Sequence, residues 1–185
     1  VDAIELLLNR GSFGKLEEPA PSNEELQIIQ RAALRAPDHK GLRPWKFFVY
    51  QGNDSLKQLG ELFLQAKLKS EPDLPQAKQE KALAMPFRAP MIIIACVEYQ
   101  EHEKVPKIEQ AISCGCAVHG MLFALQAQGF AGYWRTGDLA FNPFLKELLG
   151  LKPSDEIVGF LYAGTPKVSI TKPDQVVPED YFFKS

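Results

Sequence analysis

Pro90 is followed by Met91, Ile92, Ile93, Ile94, Ala95, Cys96 and Val97, seven apolar residues without a break. A run of that length, β-branched at its centre, reads as a strand buried on both faces. It is the central strand, and the rest of the chain has to cover it. With 45% hydrophobic residues among 185, the chain can build one substantial core, and one domain over residues 1–185 is expected.

The covering elements can be read in order. Asp2 is placed to cap a first helix carrying Ile4, Leu7 and Leu8 on one face and ending at Arg10-Gly11-Ser12. Ser22 and Glu25 form a capping-box pattern before a second helix, whose stripe of Leu26, Ile29, Ala32 and Ala33 stops near Ala36. Trp45 to Gln51 predicts a strand, and Asp54 a cap for a helix that turns Leu56, Leu59, Leu62, Phe63 and Ala66 inward. After the break at Pro72 to Pro75, the piece from Gln76 to Met85 is polar on most faces and fits an exposed or mobile lid. The longest helix spans Ile108 to Gln128. It is apolar nearly all round, with small residues through its middle, so it is expected to be buried either in its own core or against a second copy of the chain. Asn142-Pro143 opens a short helix closed by Gly150, Ile157 to Ala163 is the last clear strand, and the tail from Lys167 lacks periodicity.

A net charge of −2 argues against a nucleic-acid or membrane-surface protein, since either needs a broad basic face. Any cationic site is local. No apolar run approaches the roughly 20 residues of a membrane span and no signal-peptide pattern opens the chain, so a cytoplasmic protein is expected. Cys96, Cys114 and Cys116 with His39, His102 and His119 show no metal-ligand spacing, and no metal is expected.

Three stretches carry chemistry. Arg35 to Gln51 is a stiff cationic loop running into a strand, with Arg35, His39 and Arg43 displayed on a backbone that Pro37 and Pro44 constrain. It suits an anionic small ligand, or else is a solvated basic turn. Gly129 to Gly137 combines glycines with Trp134, a flat ring, and Arg135, a planar cation. It follows a helix rather than a strand, so it is no dinucleotide fingerprint. Arg10, Gly11 and Ser12 offer a guanidinium, a backbone amide and a hydroxyl to a phosphate, or form a plain helix stop.

Taken together with Pro86-Phe-Arg-Ala-Pro90, these stretches, in this order and spacing, make the sequence resemble the nitroreductase family of FMN-dependent NAD(P)H oxidoreductases over nearly its whole length. The resemblance implies an α+β fold, a mixed and mainly antiparallel sheet flanked by helices, in an intertwined homodimer with two FMN sites at the interface. It implies that Arg10, Gly11 and Ser12 bind the FMN phosphate and ribityl chain. Arg35 and His39 would reach the flavin held mainly by the other subunit, and Trp134, Arg135 and Thr136 would lie beside it. Relatives often have a cation where this chain has Gly14, so Lys15 is the candidate to replace that charge, and Lys172 in the tail could also approach the phosphate.

The implied activity is hydride transfer from NAD(P)H through FMN to a small oxidised acceptor, the flavin carrying the chemistry and the protein supplying position and charge. Two other classes share these residues. One is a flavin-binding or storage protein without turnover. The other is a related flavin reaction, such as reductive dehalogenation or flavin fragmentation, which usually needs an added lid; the segment from Ser70 to Arg88 is too short and plain to supply one.

Overall fold

The central strand has a helical layer on each face in the computed structural model, which describes residues 2–168 and 176–184. In chain order the elements are α1 (Ala3–Asn9), β1 (Leu16–Glu17), α2 (Asn23–Ala33), β2 (Trp45–Gln51), α3 (Asn53–Ser70), α4 (Gln76–Ala84), β3 (Met91–Val97), α5 (Lys107–Ala127), β4 (Ala131–Arg135), α6 (Gly137–Ala140), α7 (Pro143–Leu148) and β5 (Glu156–Pro166). Short 3₁₀ turns lie at His39–Gly41, Met85–Arg88 and Pro178–Asp180.

β3 pairs with β2 on one side and β5 on the other, while β1 and β4 share the far edge of β5. All four pairings are antiparallel; no parallel pair occurs among the described residues. The period-two alternation of β3 divides the core. Ile92, Ile94 and Cys96 join the cluster under α3, α6 and α7, and Met91, Ile93, Ala95 and Val97 join the one under α2 and α5. Burying each isoleucine of this strand stabilises the fold by roughly 1.5–3 kcal/mol.

The caps follow local chemistry. Asp2 accepts from the Ile4 and Glu5 amides, Ser22 and Glu25 close a reciprocal capping box, and Asn142 caps α7 with Pro143 in its first turn. Asp54 is not the cap of α3. The helix starts at Asn53, two residues earlier than that cap would set it, behind Gly52, whose φ of 81° turns the chain out of β2. α4 is docked rather than a free lid: Ala82 is buried, and a Cβ on Gly60 of α3 would stand 2.6 Å from the Leu83 carbonyl oxygen.

α5 is long and apolar enough to cross a membrane by composition alone, yet Cys114, Ala117, Val118, Met121, Leu122 and Leu125 bury one face of it on the sheet. Its small residues serve contacts inside the chain: Gly120 lets the Ala32 carbonyl of α2 come close, and Gly115 lies against the Trp134 ring. The helix is not buried on every side. Ile108 and Ile112 are 64% and 57% exposed, and His119 is exposed along the same stripe.

Candidate active site

The Arg10–Gly14 loop is tied to the core from two directions. The Gln126 side chain of α5 accepts from the Gly11 amide at 3.3 Å and donates to the Asn9 carbonyl at 3.1 Å, and the Phe13 amide donates to the Gly132 carbonyl of β4 at 3.1 Å. Arg10 is half-buried, with Nη1 donating to its neighbour's Gly11 carbonyl at 3.1 Å, and Ser12 is exposed. The Gly11 amide is therefore bonded within this chain. Gln126 was missed because nothing in an apolar helix marks one glutamine as a clamp.

Two neighbours of β4 divide its side chains between the sheet's faces. Trp134 points toward α5 and donates its indole N–H to the Val158 carbonyl at 3.2 Å. It fills the space that a Cβ on Gly159 would need, so its ring is packed against the protein. Tyr133 and Arg135 point the other way. The Arg135 guanidinium lies over the Tyr133 ring at 4.1 Å and within 5.7 Å of the Tyr162 ring, contacts typical of cation–π attraction. A Cβ on Gly14 would stand 3.4 Å from Arg135 Nη2. The charge beside Gly14 is thus that of Arg135, not Lys15, whose exposed side chain leaves only its backbone carbonyl engaged, by the Lys167 amide. Thr136 is exposed and leads through Gly137, at φ 67°, into α6. Lys172 lies outside the described residues.

Arg35 and His39 sit elsewhere. Both are exposed on the loop after α2. His39 Nδ1 lies 2.7 Å from Glu109 Oε2, a partner that favours the proton on Nδ1 and leaves Nε2 facing outward. Ser113 of α5 accepts from the Trp45 indole and donates to the Pro37 carbonyl, anchoring the loop at both ends. Arg43 does not take the extended conformation usual before a proline. It has φ 51° because the Asp38 carboxylate accepts its amide at 2.9 Å. One loop is thus fixed at Glu109 and the other at Gln126, 17 residues along α5, or about 25 Å of helix at ~1.5 Å per residue. The two loops are thus anchored at different points of one helix.

A cavity of about 620 Å³ opens from Arg135 and Thr136 and runs between α3 and α4, with Phe63, Met85, Phe160 and Tyr162 in its walls. Burial pushes the Tyr162 phenol up, and Arg88 and Arg135 pull it partly back. In the core, Cys96 and Cys114 have thiols pushed up to about 12 by burial, so they are inert side chains at neutral pH.

The fold and these features define an α+β protein with a cationic, aromatic-walled cavity beside β4. The model of the "Nitroreductase family" matches residues 10–165. The chain is 45% identical to the "Putative NAD(P)H nitroreductase YdjA" of Escherichia coli (strain K12), covering 98% of this chain and 100% of that one. It is 40% identical to a "Putative NAD(P)H nitroreductase" of Haemophilus influenzae over 89% of each chain. Among solved structures it resembles a nitroreductase-like family protein from Bacillus cereus, with TM-score 0.85, 21% identity and coverage of 100% of this chain and 96% of the other. It also resembles a nitroreductase with bound FMN from Bacteroides fragilis, with TM-score 0.74, 18% identity and coverage of 100% and 99%. The chain belongs to the nitroreductase family.

Proposed function

We propose that this protein is an FMN-dependent oxidoreductase that passes hydride from NAD(P)H to a small oxidised acceptor, such as a nitroaromatic or a quinone, and that it works as a homodimer. The observation carrying the reading is the Phe13–Gly132 hydrogen bond, which brings the Arg10–Ser12 loop alongside β4, with Arg135 beside Gly14. The residues present fit FMN. Arg10 and the exposed Ser12 hydroxyl would hold its phosphate, a charge-assisted pairing of the strong kind. The gap left by the absent Gly14 side chain, with a guanidinium on its wall, would admit a planar edge rich in acceptor atoms.

FMN supplies the hydride chemistry when bound. The protein's part is placement and charge. Arg135, fixed over Tyr133, presents positive charge without reorganising, which is how a partly dry site stabilises developing negative charge. Arg35 and His39 would complete the site from a second copy, with Glu109 orienting the imidazole. The exposed Ile108 and Ile112 of α5, with Ile4, Leu7 and Leu8 of α1, supply the apolar surface that such a dimer would cover.

The test is the absorption spectrum of the purified protein, followed by anaerobic addition of NADH or NADPH. A flavin band that bleaches with nicotinamide and returns with an oxidised acceptor is the expected result. A colourless protein that gains no thermal stability in excess FMN would refute the proposal, and a coloured one that never bleaches would leave a flavin carrier without turnover.

A further inference from the structure

The cavity between α3 and α4 has a charge balance opposite to that of the chain. Five cations line it, Lys67, Lys78, Lys81, Arg88 and Arg135, against two carboxylates, Glu71 and Asp138, in a protein whose net charge is −2. The two acids are already committed. Lys67 bonds Asp138, whose carboxyl it holds below the usual range, and Lys78 lies 3.6 Å from Glu71. Among the described residues Lys81 and Arg88 have no acidic partner, and the exposed Lys78–Glu71 pair at 3.6 Å is of the weak surface kind, so these three cations are open to a ligand. Concentrated positive charge in a concave site with low-dielectric walls draws in anions.

These cations are not those assigned to the FMN phosphate, because Arg10, Gly11 and Ser12 do not line the cavity. Their spacing is also orderly. Lys78, Lys81, Met85 and Arg88 recur at helical intervals along α4 and the turn after it, so one face presents charge, an apolar side chain and charge again. Phe63 and Phe160, edge to face at 5.4 Å, close the opposite wall. A cavity of about 620 Å³ lies within the ~300–1,000 Å³ usual for small-molecule sites. An apolar floor below a cationic rim is the complement of a flat ring that bears an acid group.

We propose that the α3–α4 end of this cavity recognises a negatively charged aromatic electron acceptor, its ring toward Met85 above the buried Phe63–Phe160 pair and its carboxylate or sulfonate toward Lys78, Lys81 and Arg88. This rests on the oxidoreductase reading and adds the acceptor's class. The reduction itself draws on NAD(P)H as already proposed.

The probes are 4-nitrobenzoate and nitrobenzene, compared on FMN-loaded wild-type and Lys78→Gln/Lys81→Gln protein, with NADH and NADPH as alternative reductants. Both lysines are on the exposed side of α4, so the variant is expected to fold. The ratio of kcat/KM for 4-nitrobenzoate over nitrobenzene should fall about tenfold in the variant, carried by KM, the size expected when charge-assisted contacts are removed. High salt should lower the same ratio in the wild type. An unchanged ratio overturns the proposal. So does a loss confined to NADPH relative to NADH, which assigns the lysines to a nucleotide phosphate, and so does a loss of bound flavin, which assigns them to the cofactor. If neither compound is reduced, the oxidoreductase reading fails by itself. Calorimetric titration with the two compounds then still decides the inference, since only preferential binding of 4-nitrobenzoate that weakens in the variant supports it.

Discussion

Arg10 is the side chain on which the cofactor reading turns, and its surroundings give it two measurable roles. Replacing it by alanine should weaken FMN binding by about 2 kcal/mol or more, the usual cost of truncating one side of a charge-assisted pair. Riboflavin, lacking the phosphate, should be affected much less in the same fluorescence titration. Equal losses would mark Arg10 as structural. The second role concerns His119, held below its ordinary value of 6.5 first by partial desolvation of its otherwise exposed ring, which lies 4.5 Å from the Phe123 ring, and second by the Arg10 guanidinium. The folded state therefore favours neutral imidazole, and as pH falls the unfolded chain takes up the proton first. The stability from this group is full above its unfolded value and is lost as pH drops through the folded one. Thermal unfolding of the apoprotein should show a midpoint that decreases between about pH 7.5 and 5.5, and His119→Gln should flatten that slope. An identical slope in the variant would exclude His119 as its source.

At the scale of elements, α4 is the clearest case of an element held by its neighbour rather than by its own sequence. Its polar composition suggested a lid, whereas Gly60 of α3 lets the Leu83 backbone approach more closely than any side chain would allow. Gly60→Ala should destabilise the protein by about 1–3 kcal/mol, as overpacking generally does. It should also speed amide exchange over Gln76–Ala84 more than over β3; a uniform change would mean that α4 is not docked through this contact. The same contrast explains what was legible in the sequence. β3, α2 and α7 announced themselves because apolar runs, capping boxes and Asn-Pro starts are local signals. β1 and β4 did not: β1 has two residues and exists only through its pairing with β5, and β4 was hidden by the glycines of Gly129 to Gly132. Within the site, Arg10, Ser12 and Arg135 were readable as chemistry. The Gln126 clamp, the Glu109–His39 pair and the Gly14–Arg135 contact join residues 70 or more positions apart and had no local signature.

On the scale of the whole molecule, the separation along α5 becomes an argument about symmetry. One half of the expected site is pinned at Glu109 and the other at Gln126, at different points along the same helix. A two-fold axis crossing α5 near its middle would bring each half against the other half from the second copy, and the exposed Ile108–Ile112 stripe lies on that helix. The proposed homodimer then carries two equivalent sites, each using Arg10 from one protomer and His39 from its partner. Co-expressing an Arg10→Ala chain with a His39→Ala chain should regenerate one intact site in every mixed dimer, while the other site carries both defects. FMN binding per mixed dimer, measured after separating the species by differential tags, should exceed that of either single-variant dimer. Co-expression is needed because a large apolar interface does not exchange freely between folded chains. If paired chains recover no binding, the sites are not shared through these residues. An Ile112→Asp chain offers an independent check: a charge on the stripe should shift the protein toward monomer in light scattering at micromolar concentration and release its flavin, because each monomer would keep only half of every site.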